Sequence, residues 1–331
     1  MVSCEAKFMN PKIAVVIPCY KVREHISSVI KKIGDEVWRI YVVDDCCPEG
    51  TGNHVRASVD DPRVRVIFNA ENLGVGGAVM AGYRAAIADG TEVIVKIDGD
   101  GQMDPGMISR FVAPILKEQA DYTKGNRFYD LTHISRMPAA RLFGNAVLSF
   151  MAKLSTGYWN IFDPTNGYTA IHAKVAASLP MDRISRRYFF ETDMLCRLNT
   201  IRAVVVDIPM DAVYGAEQSH LKISKIFGEF LVKNAHNLMK RIFYNYFLRD
   251  MTIASVELVV GGSLFMFGLV FGGAHWIHSV RIGAPTPLGT IMIAAMSLLV
   301  GIQLVLAFLG FDILNVPKRP IHDDLPNSHH S

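Results

Sequence analysis

The sequence predicts an α/β protein. We expect an open, mainly parallel sheet with helices on both faces, followed by amphipathic juxtamembrane helices and a two-helix transmembrane hairpin. In the first part of the 331-residue chain, short β-branched apolar runs alternate with stretches of helical periodicity. Such alternation favours right-handed crossovers, which place helices on both faces of a parallel sheet. Near the end of the chain, two apolar runs are each longer than the roughly 20 residues that cross a bilayer.

Local patterns predict the elements of the first domain. Strands are predicted at Lys12–Cys19, Arg39–Val43, Val64–Phe68, Val93–Ile97 and Ala203–Ile208. Helices are predicted at Glu24–Ile33, Val75–Ala88 and Pro105–Lys117. Asp104 is expected to cap the last helix, because its carboxylate can accept free N–H groups and proline is favoured at the first helical position. The stretch from Asp121 to Pro209 is less regular, and Glu191 and Asp193 are expected to open a helix within it.

Composition excludes several classes of protein. The formal net charge of +3 is too small to indicate nucleic-acid binding. The five cysteines are scattered and odd in number, which is typical of reduced thiols rather than a disulfide framework or metal site. Residues Met1 to Lys12 contain no apolar core of a signal peptide, so the first domain is expected to remain in the cytoplasm.

Two carboxylates follow the strand Val93–Ile97. Asp98 and Asp100 are two residues apart, so on an extended backbone they point to the same side. Taken alone, this pattern is more often a simple acidic turn. However, Tyr20 and the pair Asp44-Asp45 also follow predicted strands, and ligands of such sheets bind beyond the carboxyl ends of the strands. This convergence favours a divalent cation that retains substrate phosphates among its ligands.

The glycine-rich stretch Asn72–Ala78 opens a predicted helix and has two equally good interpretations. Its backbone N–H groups could approach a phosphate, or its glycines could allow close packing. It lacks the third glycine of the dinucleotide fingerprint, where Val79 stands instead, and no P-loop sequence follows. A dehydrogenase is therefore disfavoured.

The last third of the chain indicates a membrane anchor. An amphipathic helix with a basic face (Lys225, Lys233, Lys240, Arg241 and Arg249) is expected to lie on an anionic membrane surface, with a break near Asn234–Asn237. The spans are Ile253–Trp276 and Leu288–Phe311, and basic residues flank them mainly on the outer ends. Predicted domains are therefore a catalytic domain at 1–222, juxtamembrane helices at 223–250, the hairpin at 251–312 and a tail at 313–331, with both termini cytoplasmic.

Taken in order, these motifs resemble family 2 glycosyltransferases of the GT-A fold, particularly the polyprenyl-phosphate glycosyltransferases of the dolichol-phosphate mannose synthase type. The resemblance covers Lys12 to about Lys222. It rests on Pro18-Cys19-Tyr20, Val42-Val43-Asp44-Asp45, the glycine-rich Asn72–Ala78 and the D-x-D motif Asp98-Gly99-Asp100 with Gln102.

The resemblance implies a role for each matched residue. Donor-binding positions are Pro18, Tyr20, Asp44, Asp45, Asn72, Gly74, Gly76, Asp98, Gly99, Asp163 and Gly167, with Asp163 and Gly167 facing the sugar. Metal ligands for Mg²⁺ or Mn²⁺ are Asp98, Asp100 and Gln102. Acceptor-phosphate contacts are Arg127, Arg136, Arg141, His220 and Lys222. Residues assigned to catalysis are Asp98, Asp100, Arg127, Arg141 and Asp193, the last being the candidate general base if the acceptor is a sugar hydroxyl.

The expected function is inverting transfer of a sugar from a UDP- or GDP-sugar to a polyprenyl phosphate at the inner membrane. A lipid phosphate needs no strong base, because its second pKa is about 6. A sugar-hydroxyl acceptor, which would need one, is an alternative, and a catalytically inactive nucleotide-binding scaffold is another. A processive synthase is disfavoured because the Q-x-x-R-W pattern is absent. Oligomeric state stays open, with the hairpin as the segment through which copies would associate.

Overall fold

The computed structural model of the protein describes residues 11–129, 139–211 and 223–326. The chain divides into two compact units. The first contains Met1–Leu238 and Pro317–Ser331, and the second contains Met239–Val316. From Pro317 onward, the tail that follows the second apolar helix therefore belongs to the first unit, whereas the sequence predicts a separate segment at 313–331.

A seven-stranded sheet forms the centre of the first unit. Its strands are β1 (Ile13–Cys19), β2 (Val37–Asp44), β3 (Val64–Phe68), β4 (Val93–Lys96), β5 (Tyr122–Asn126), β6 (Thr169–His172) and β7 (Val205–Pro209). They lie in the order β3-β2-β1-β4-β6-β5-β7. Only the β6 pairings, with β4 and β5, are antiparallel among these strands. The predicted open, mainly parallel sheet is confirmed, and the buried apolar run of β1 is typical of a strand covered on both faces.

Helices connect these strands. In the first unit they are α1 (Arg23–Lys31), α2 (Thr51–Ser58), α3 (Gly74–Ala88), α4 (Ile108–Leu116), α5 (Ala139–Thr156), α6 (Ala173–Ser178), α7 (Phe190–Thr200) and the start of α8 (Ile223–Phe243). A 3₁₀ turn at Pro105–Met107 precedes α4. Asp104 caps this turn as predicted, because its Oδ1 accepts the N–H of Gly106 at 2.9 Å.

Five elements of this unit are not predicted from the sequence, namely α2, α5, α6, β5 and β6. Helix α2 is short and largely polar, and β6 is only four residues long. Strand β5 contains Lys124, Gly125 and Asn126, residue types that are uncommon in strands, yet all five of its residues are buried. Its polar side chains are bonded within the site described below, so tertiary contacts rather than local propensity hold it in the sheet.

The second unit contains the two predicted spans. Helix α9 covers Ile253–Ile282 and α10 covers Leu288–Leu314, so both extend beyond their predicted ends. Only 22% and 11% of their most apolar windows are buried, which distinguishes them from the core helices of a soluble domain. The helices approach each other at glycines: a Cβ on Gly301 would lie 2.5 Å from the backbone nitrogen of Phe265. Small residues permit such close packing of membrane helices.

The break predicted near Asn234–Asn237 is wrong, because α8 runs without interruption from Ile223 to Phe243. Both asparagines are buried and bonded to neighbouring elements. The hydroxyl of Ser155 donates to Asn234 Oδ1, and Asn237 Nδ2 donates to Asp193 Oδ1 at 3.1 Å. The polar residues that suggested a break are therefore contacts between this helix and the catalytic domain.

A buried polar cluster lies in the second unit, where the sequence predicts a basic surface residue. Arg241 is only 3% exposed, and its guanidinium binds Asp312 through two hydrogen bonds of 2.6 and 3.1 Å. The hydroxyl of Tyr246 donates to the same carboxylate at 2.6 Å. Assigning Arg241 to an exposed basic face is therefore wrong, because the acidic partner is distant in sequence.

The tail packs within the first unit, where it binds the fully buried carboxylate of Asp121. Asp121 accepts hydrogen bonds from the backbone N–H groups of Ile321 and His322, and it lies 2.7 Å from His322 Nδ1. The imidazole of His322 stacks on that of His172 with ring centroids 4.4 Å apart. Asp121 also accepts from the N–H of Val204, so one side chain connects the tail to the start of two strands.

Candidate active site

A cavity of about 550 Å³ opens at the carboxyl ends of β1 and β4. It brings together most of the residues predicted to bind the donor. Those that line it are Pro18, Tyr20, Asp45, Asn72, Gly74, Asp98 and Gly99. The predicted metal ligand Asp100 lines it as well. Arg187 and Tyr188 also line it, although the sequence did not single them out. Tyr20 and Tyr188 are 46% and 62% exposed, so each presents an accessible aromatic ring.

A smaller cavity of about 170 Å³ adjoins the first. Its lining includes Asp98, Asp100, Gln102, Arg127, Gly167 and Glu191. Asp98 and Asp100 line both cavities. The two carboxylates predicted as metal ligands therefore lie where the larger and the smaller cavity meet.

The loop after β4 holds these carboxylates in place. The N–H of Gln102 donates to Asp100 Oδ1 at 3.0 Å, forming a turn around the second aspartate. Gly101 has φ of +79°, a conformation that favours glycine. Gly167 is required for a different reason, since a Cβ there would lie 2.8 Å from Asp98 Oδ2. The first glycine shapes the turn, and the second leaves space beside the aspartate.

A buried lysine, Lys96, contacts the first aspartate. Its Nζ lies 2.7 Å from Asp98 Oδ1 and 3.9 Å from Glu191 Oε1. Burial opposes the charged form of this lysine, but the carboxylates of Asp98 and Glu191 outweigh burial and raise its pKa. The sequence pattern predicts only that Lys96 belongs to an apolar strand, and it gives this lysine no role in the site. A lysine inside an apolar run, two residues before an acidic turn, is nevertheless a pattern that could have indicated a buried ion pair.

A second buried lysine, Lys124 of β5, also interacts electrostatically with Glu191. Burial lowers its pKa to about 8, and its ammonium donates to the backbone carbonyl of Asn166. Burial also raises the pKa of Glu191 above its ordinary value, although Lys96 and Lys124 oppose the rise. Glu191, which lines the smaller cavity, therefore interacts electrostatically with two buried lysines, Lys96 and Lys124.

Arg127 lines the smaller cavity and is held there by Asp163. The guanidinium forms two hydrogen bonds with the carboxylate, of 2.7 and 3.1 Å. Asp163, predicted to face the sugar, is fully buried and lies outside the lining of both cavities. Its carboxylate instead fixes an arginine, a paired geometry that is both strong and directional.

Asp44 and Asp45 are both buried, and they hold two helix starts. Asp44 accepts the N–H groups of Cys47 and Gly52 at 2.7 and 2.6 Å, and it lies outside the lining of the donor cavity. Asp45 accepts those of Leu73 and Gly74 at 2.9 and 2.7 Å while also lining that cavity. The donor role predicted for Asp44 is therefore not supported, because its carboxylate oxygens bind the start of α2.

At the glycine-rich start of α3, one glycine borders the donor cavity and another allows close packing. Gly74 lines the donor cavity, as a ligand-binding glycine would. Gly76 lies outside that lining and is packed, because a Cβ there would lie 2.4 Å from the carbonyl oxygen of Ser185. Its assignment to the donor site is therefore corrected to close packing of a neighbouring backbone.

Asp193, the predicted general base, lines neither cavity. It is 5% exposed, and its Oδ2 accepts the N–H of Ser185 at 2.8 Å. Residues two apart on a helix differ by about 200° in direction, so only one of Glu191 and Asp193 can face the cavity. That residue is Glu191. The structure therefore brings Glu191 to the cavity and leaves Asp193, the predicted base, outside both linings.

Some predicted phosphate contacts fall elsewhere. Arg136, His220 and Lys222 lie outside the described residues. Arg141 lies in α5, but its side chain is likewise outside the described part of the chain. Arg127 is the predicted acceptor contact that the structure brings to the cavity.

The residues at the junction suit a divalent cation that shares its ligands with a substrate. Asp98, Asp100 and Gln102 present oxygen donors around one small cavity. Within the described residues, no group of three or more His, Cys, Asp and Glu side chains could enclose a metal ion by itself. A cation here would therefore take its remaining oxygens from phosphate or water, as Mg²⁺ usually does in phosphate-binding sites.

Comparison with known proteins identifies the family of this chain. The model of the family described as "Glycosyl transferase family 2" matches residues 14–179, half of the chain. The chain belongs to glycosyl transferase family 2. This family 2 glycosyltransferase is 29% identical over 206 residues to an undecaprenyl-phosphate mannosyltransferase of Micrococcus luteus, covering 61% of this chain and 84% of the relative. It is 27% identical over 219 residues to a polyprenol monophosphomannose synthase of Mycolicibacterium smegmatis, covering 65% and 80%.

Solved structures support the fold of the family 2 glycosyltransferase. Glucosyl-3-phosphoglycerate synthase of Mycobacterium tuberculosis, crystallised with Mn²⁺, UDP and glucosyl-3-phosphoglycerate, superposes with a TM-score of 0.51 at 20% identity, covering 70% of this chain and 80% of that one. The same protein has been crystallised with Mg²⁺ and UDP. The predicted fold, the family and the assignment as a glycosyltransferase are confirmed.

Proposed function

We propose that this glycosyltransferase moves a sugar from a nucleotide-sugar to a membrane-held polyprenyl phosphate. The observation that carries the proposal is the position of Asp98 and Asp100, which line both the larger and the smaller cavity. A donor whose nucleoside fills the larger cavity would place its diphosphate at these carboxylates and its sugar toward the smaller one. The polyprenyl-phosphate acceptor follows from the relatives named above, which are polyprenyl-phosphate sugar transferases.

The larger cavity provides the donor site. Tyr20 and Tyr188 offer aromatic faces for a nucleobase, and Asn72 and Gly74 offer polar groups near the glycine-rich helix start. A nucleoside diphosphate suits this lining better than a bare sugar, which would leave the aromatic faces uncovered. UDP- and GDP-sugars are both candidates for the donor.

A divalent cation would be held by Asp98, Asp100 and Gln102. Mg²⁺ or Mn²⁺ bound there supplies Lewis-acid compensation for the charge that develops on the leaving nucleoside diphosphate. The chain's own contribution is to fix the carboxylates. The backbone N–H of Gln102 orients Asp100, and the ammonium of Lys96 orients Asp98.

The smaller cavity provides the acceptor side. Arg127, fixed by Asp163, would orient the lipid phosphate, joined by Arg136, Arg141, His220 and Lys222. A phosphate monoester has a second pKa of about 6 and already carries a nucleophilic oxyanion near neutral pH. Direct attack on the anomeric carbon, with inversion, then requires no general base.

A membrane site for this reaction is supported by α9 and α10, which are long and apolar enough to cross a bilayer. The tail from Pro317 belongs to the same compact unit as the catalytic domain, and we propose that both lie on one side of the membrane. We assign that side to the cytoplasm and the membrane to the inner membrane, because Lys318 and Arg319 follow the second span. A homo-oligomer of this protein would form through the hairpin.

Replacing Glu191 by glutamine distinguishes a phosphate acceptor from a sugar-hydroxyl acceptor. With a phosphate acceptor, we expect turnover to fall by less than about tenfold, because no proton has to be removed. With a hydroxyl acceptor, Glu191 is the carboxylate placed to act as base, and turnover would fall by about 10²- to 10⁴-fold. The measurement is kcat at saturating donor and acceptor across a range of pH. Activity of the hydroxyl version would also be lost as pH falls through the raised pKa of Glu191.

The proposed function itself is tested with purified full-length protein in lipid vesicles, Mg²⁺ or Mn²⁺, a polyprenyl phosphate and a panel of labelled nucleotide-sugars. Transfer of label from one donor to the lipid phosphate is the expected result. Metal-stimulated binding of a nucleoside diphosphate without transfer to any lipid phosphate would instead favour an inactive scaffold. Label transferred only to lipid-linked sugar would favour the hydroxyl acceptor.

A further inference from the structure

The segment Ser185–Tyr188 both packs against the glycine-rich helix start and supplies side chains to the donor cavity. The N–H of Gly76 donates to the carbonyl oxygen of Arg186 at 2.8 Å. A Cβ on Gly74 would lie 2.5 Å from that same oxygen, so the two backbones are in close contact. Arg187 and Tyr188, the next residues, line the donor cavity. The position of this segment therefore sets the shape of one side of the donor site.

Asp193 binds the first residue of this segment, Ser185, and does not line the donor cavity itself. Its Oδ2 accepts the N–H of Ser185 at 2.8 Å and the Nε–H of Arg197 at 3.2 Å. The guanidinium of Arg197 also donates to the carbonyl of Arg183, two residues before Ser185. Because Asp193 is 5% exposed, water has little access to replace these bonds. A buried carboxylate thus anchors the segment at its start.

The other oxygen of Asp193 connects to the juxtamembrane helix α8. Asn237 Nδ2 donates to Asp193 Oδ1 at 3.1 Å. On the same helix, Leu231 and Val232 are 48% and 68% exposed, as expected for side chains that contact a lipid surface. One carboxylate is therefore bonded both to the helix that we assign to the membrane surface and to the segment that borders the donor cavity.

We infer that Asp193 is a positioning residue for the donor site, which it couples to helix α8 through Asn237 and to the cavity through Ser185. It supports nucleotide binding through the segment Ser185–Tyr188 and takes no proton in the reaction. The identity of the ligand rests on the proposed function, but the coupling concerns binding of a nucleoside diphosphate and needs no transfer reaction to be observed.

The test compares Asp193→Asn and Asn237→Ala with the matched control Asn234→Ala. Asn234 is also buried on α8, but its side chain bonds Ser155 and the carbonyl of Phe230 and leaves the segment untouched. The readouts are Kd for UDP and for GDP with Mn²⁺, measured by calorimetry on the full-length protein in vesicles, and donor KM and kcat where transfer is detected. Thermal unfolding is followed for each variant.

For Asp193→Asn we expect Kd and donor KM to rise about tenfold, because an uncharged amide with one acceptor oxygen cannot accept from Ser185, Arg197 and Asn237 as the carboxylate does, while kcat changes by less than about threefold. For Asn237→Ala we expect a rise of about threefold in Kd, and for Asn234→Ala no change. Asn237→Ala keeps the test decisive should Asp193→Asn fail to fold.

Two results would overturn the inference alone: unchanged Kd values in both variants beside a wild-type protein that binds, or a large fall in kcat at constant Kd in Asp193→Asn. Failure of the wild-type protein to bind either nucleotide would overturn the proposed function and the inference with it.

Discussion

Replacement of Asp100 by asparagine is expected to reduce sugar transfer by about 10²- to 10³-fold, because one of the two carboxylates that hold the cation is lost. The amide is nearly the same size, and its oxygen can still accept the N–H of Gln102, which now bonds Asp100 Oδ1 at 3.0 Å. The turn should therefore survive while the charge is removed. Initial rates of transfer and the Mn²⁺ dependence of nucleoside diphosphate binding would both be measured.

The same loop offers a matched control for this experiment. Asp104 lies four residues further on and caps the turn before α4, and it lies outside the lining of both cavities. Asp104→Asn should preserve transfer within about threefold, with any loss of stability limited to about 1 kcal/mol, as for other helix caps. An Asp100→Asn enzyme that retained full activity and full metal dependence would exclude Asp100 as a ligand.

Replacement of Asp312 by alanine is expected to lower the free energy of unfolding by about 3–5 kcal/mol, because it leaves the buried guanidinium of Arg241 without its counter-charge. Both side chains are 3% exposed, and they are joined by two hydrogen bonds, of 2.6 and 3.1 Å. The same change removes the acceptor of the Tyr246 hydroxyl. Unfolding in detergent, followed by circular dichroism, would measure the loss.

Two further variants separate the ion pair from simple loss of packing. The double replacement Arg241→Met with Asp312→Leu should recover most of the stability, since apolar residues of similar volume often substitute well for a buried pair. Asp324→Ala removes an exposed partner of Arg319, 3.4 Å away, and should leave stability nearly unchanged. Equal destabilisation by Asp312→Ala and by the double replacement would contradict the assigned role of the pair.

The sheet could be predicted from the sequence where strands are buried on both faces and read as continuous apolar runs. Strands β1 and β4 are of this kind. Strand β3 lies at the sheet edge and is only partly buried, but β1 to β4 were each recognised within two residues of their ends. Strand β5 was not, because its lysine and asparagine are stabilised by partners far away in sequence. Lys124 bonds a carbonyl 42 positions later, and Asn126 bonds Asp207 at 3.1 Å. No local pattern contains that information.

The candidate site shows the same division. Asp98 and Asp100 could be found because two carboxylates two residues apart at a strand end must share a direction. Glu191 and Asp193 were both in view, but choosing between them requires the rotation of α7 about its axis, which depends on packing. The amphipathic pattern predicted a helix where α8 lies. Asn237 suggested a break in that helix because its partner, Asp193, is 44 positions earlier in the sequence.

The bonds between the tail and Asp121 carry a consequence for how the protein is made. A ribosome completes the catalytic domain before it synthesises the hairpin, and the tail is synthesised after both. Until His322 arrives, the fully buried carboxylate of Asp121 lacks three of its donors, because two backbone N–H groups and one imidazole come from the tail. Those donors are synthesised only after both apolar helices, α9 and α10. The last hydrogen bonds of the first unit are therefore formed only after the whole of the second unit has been synthesised.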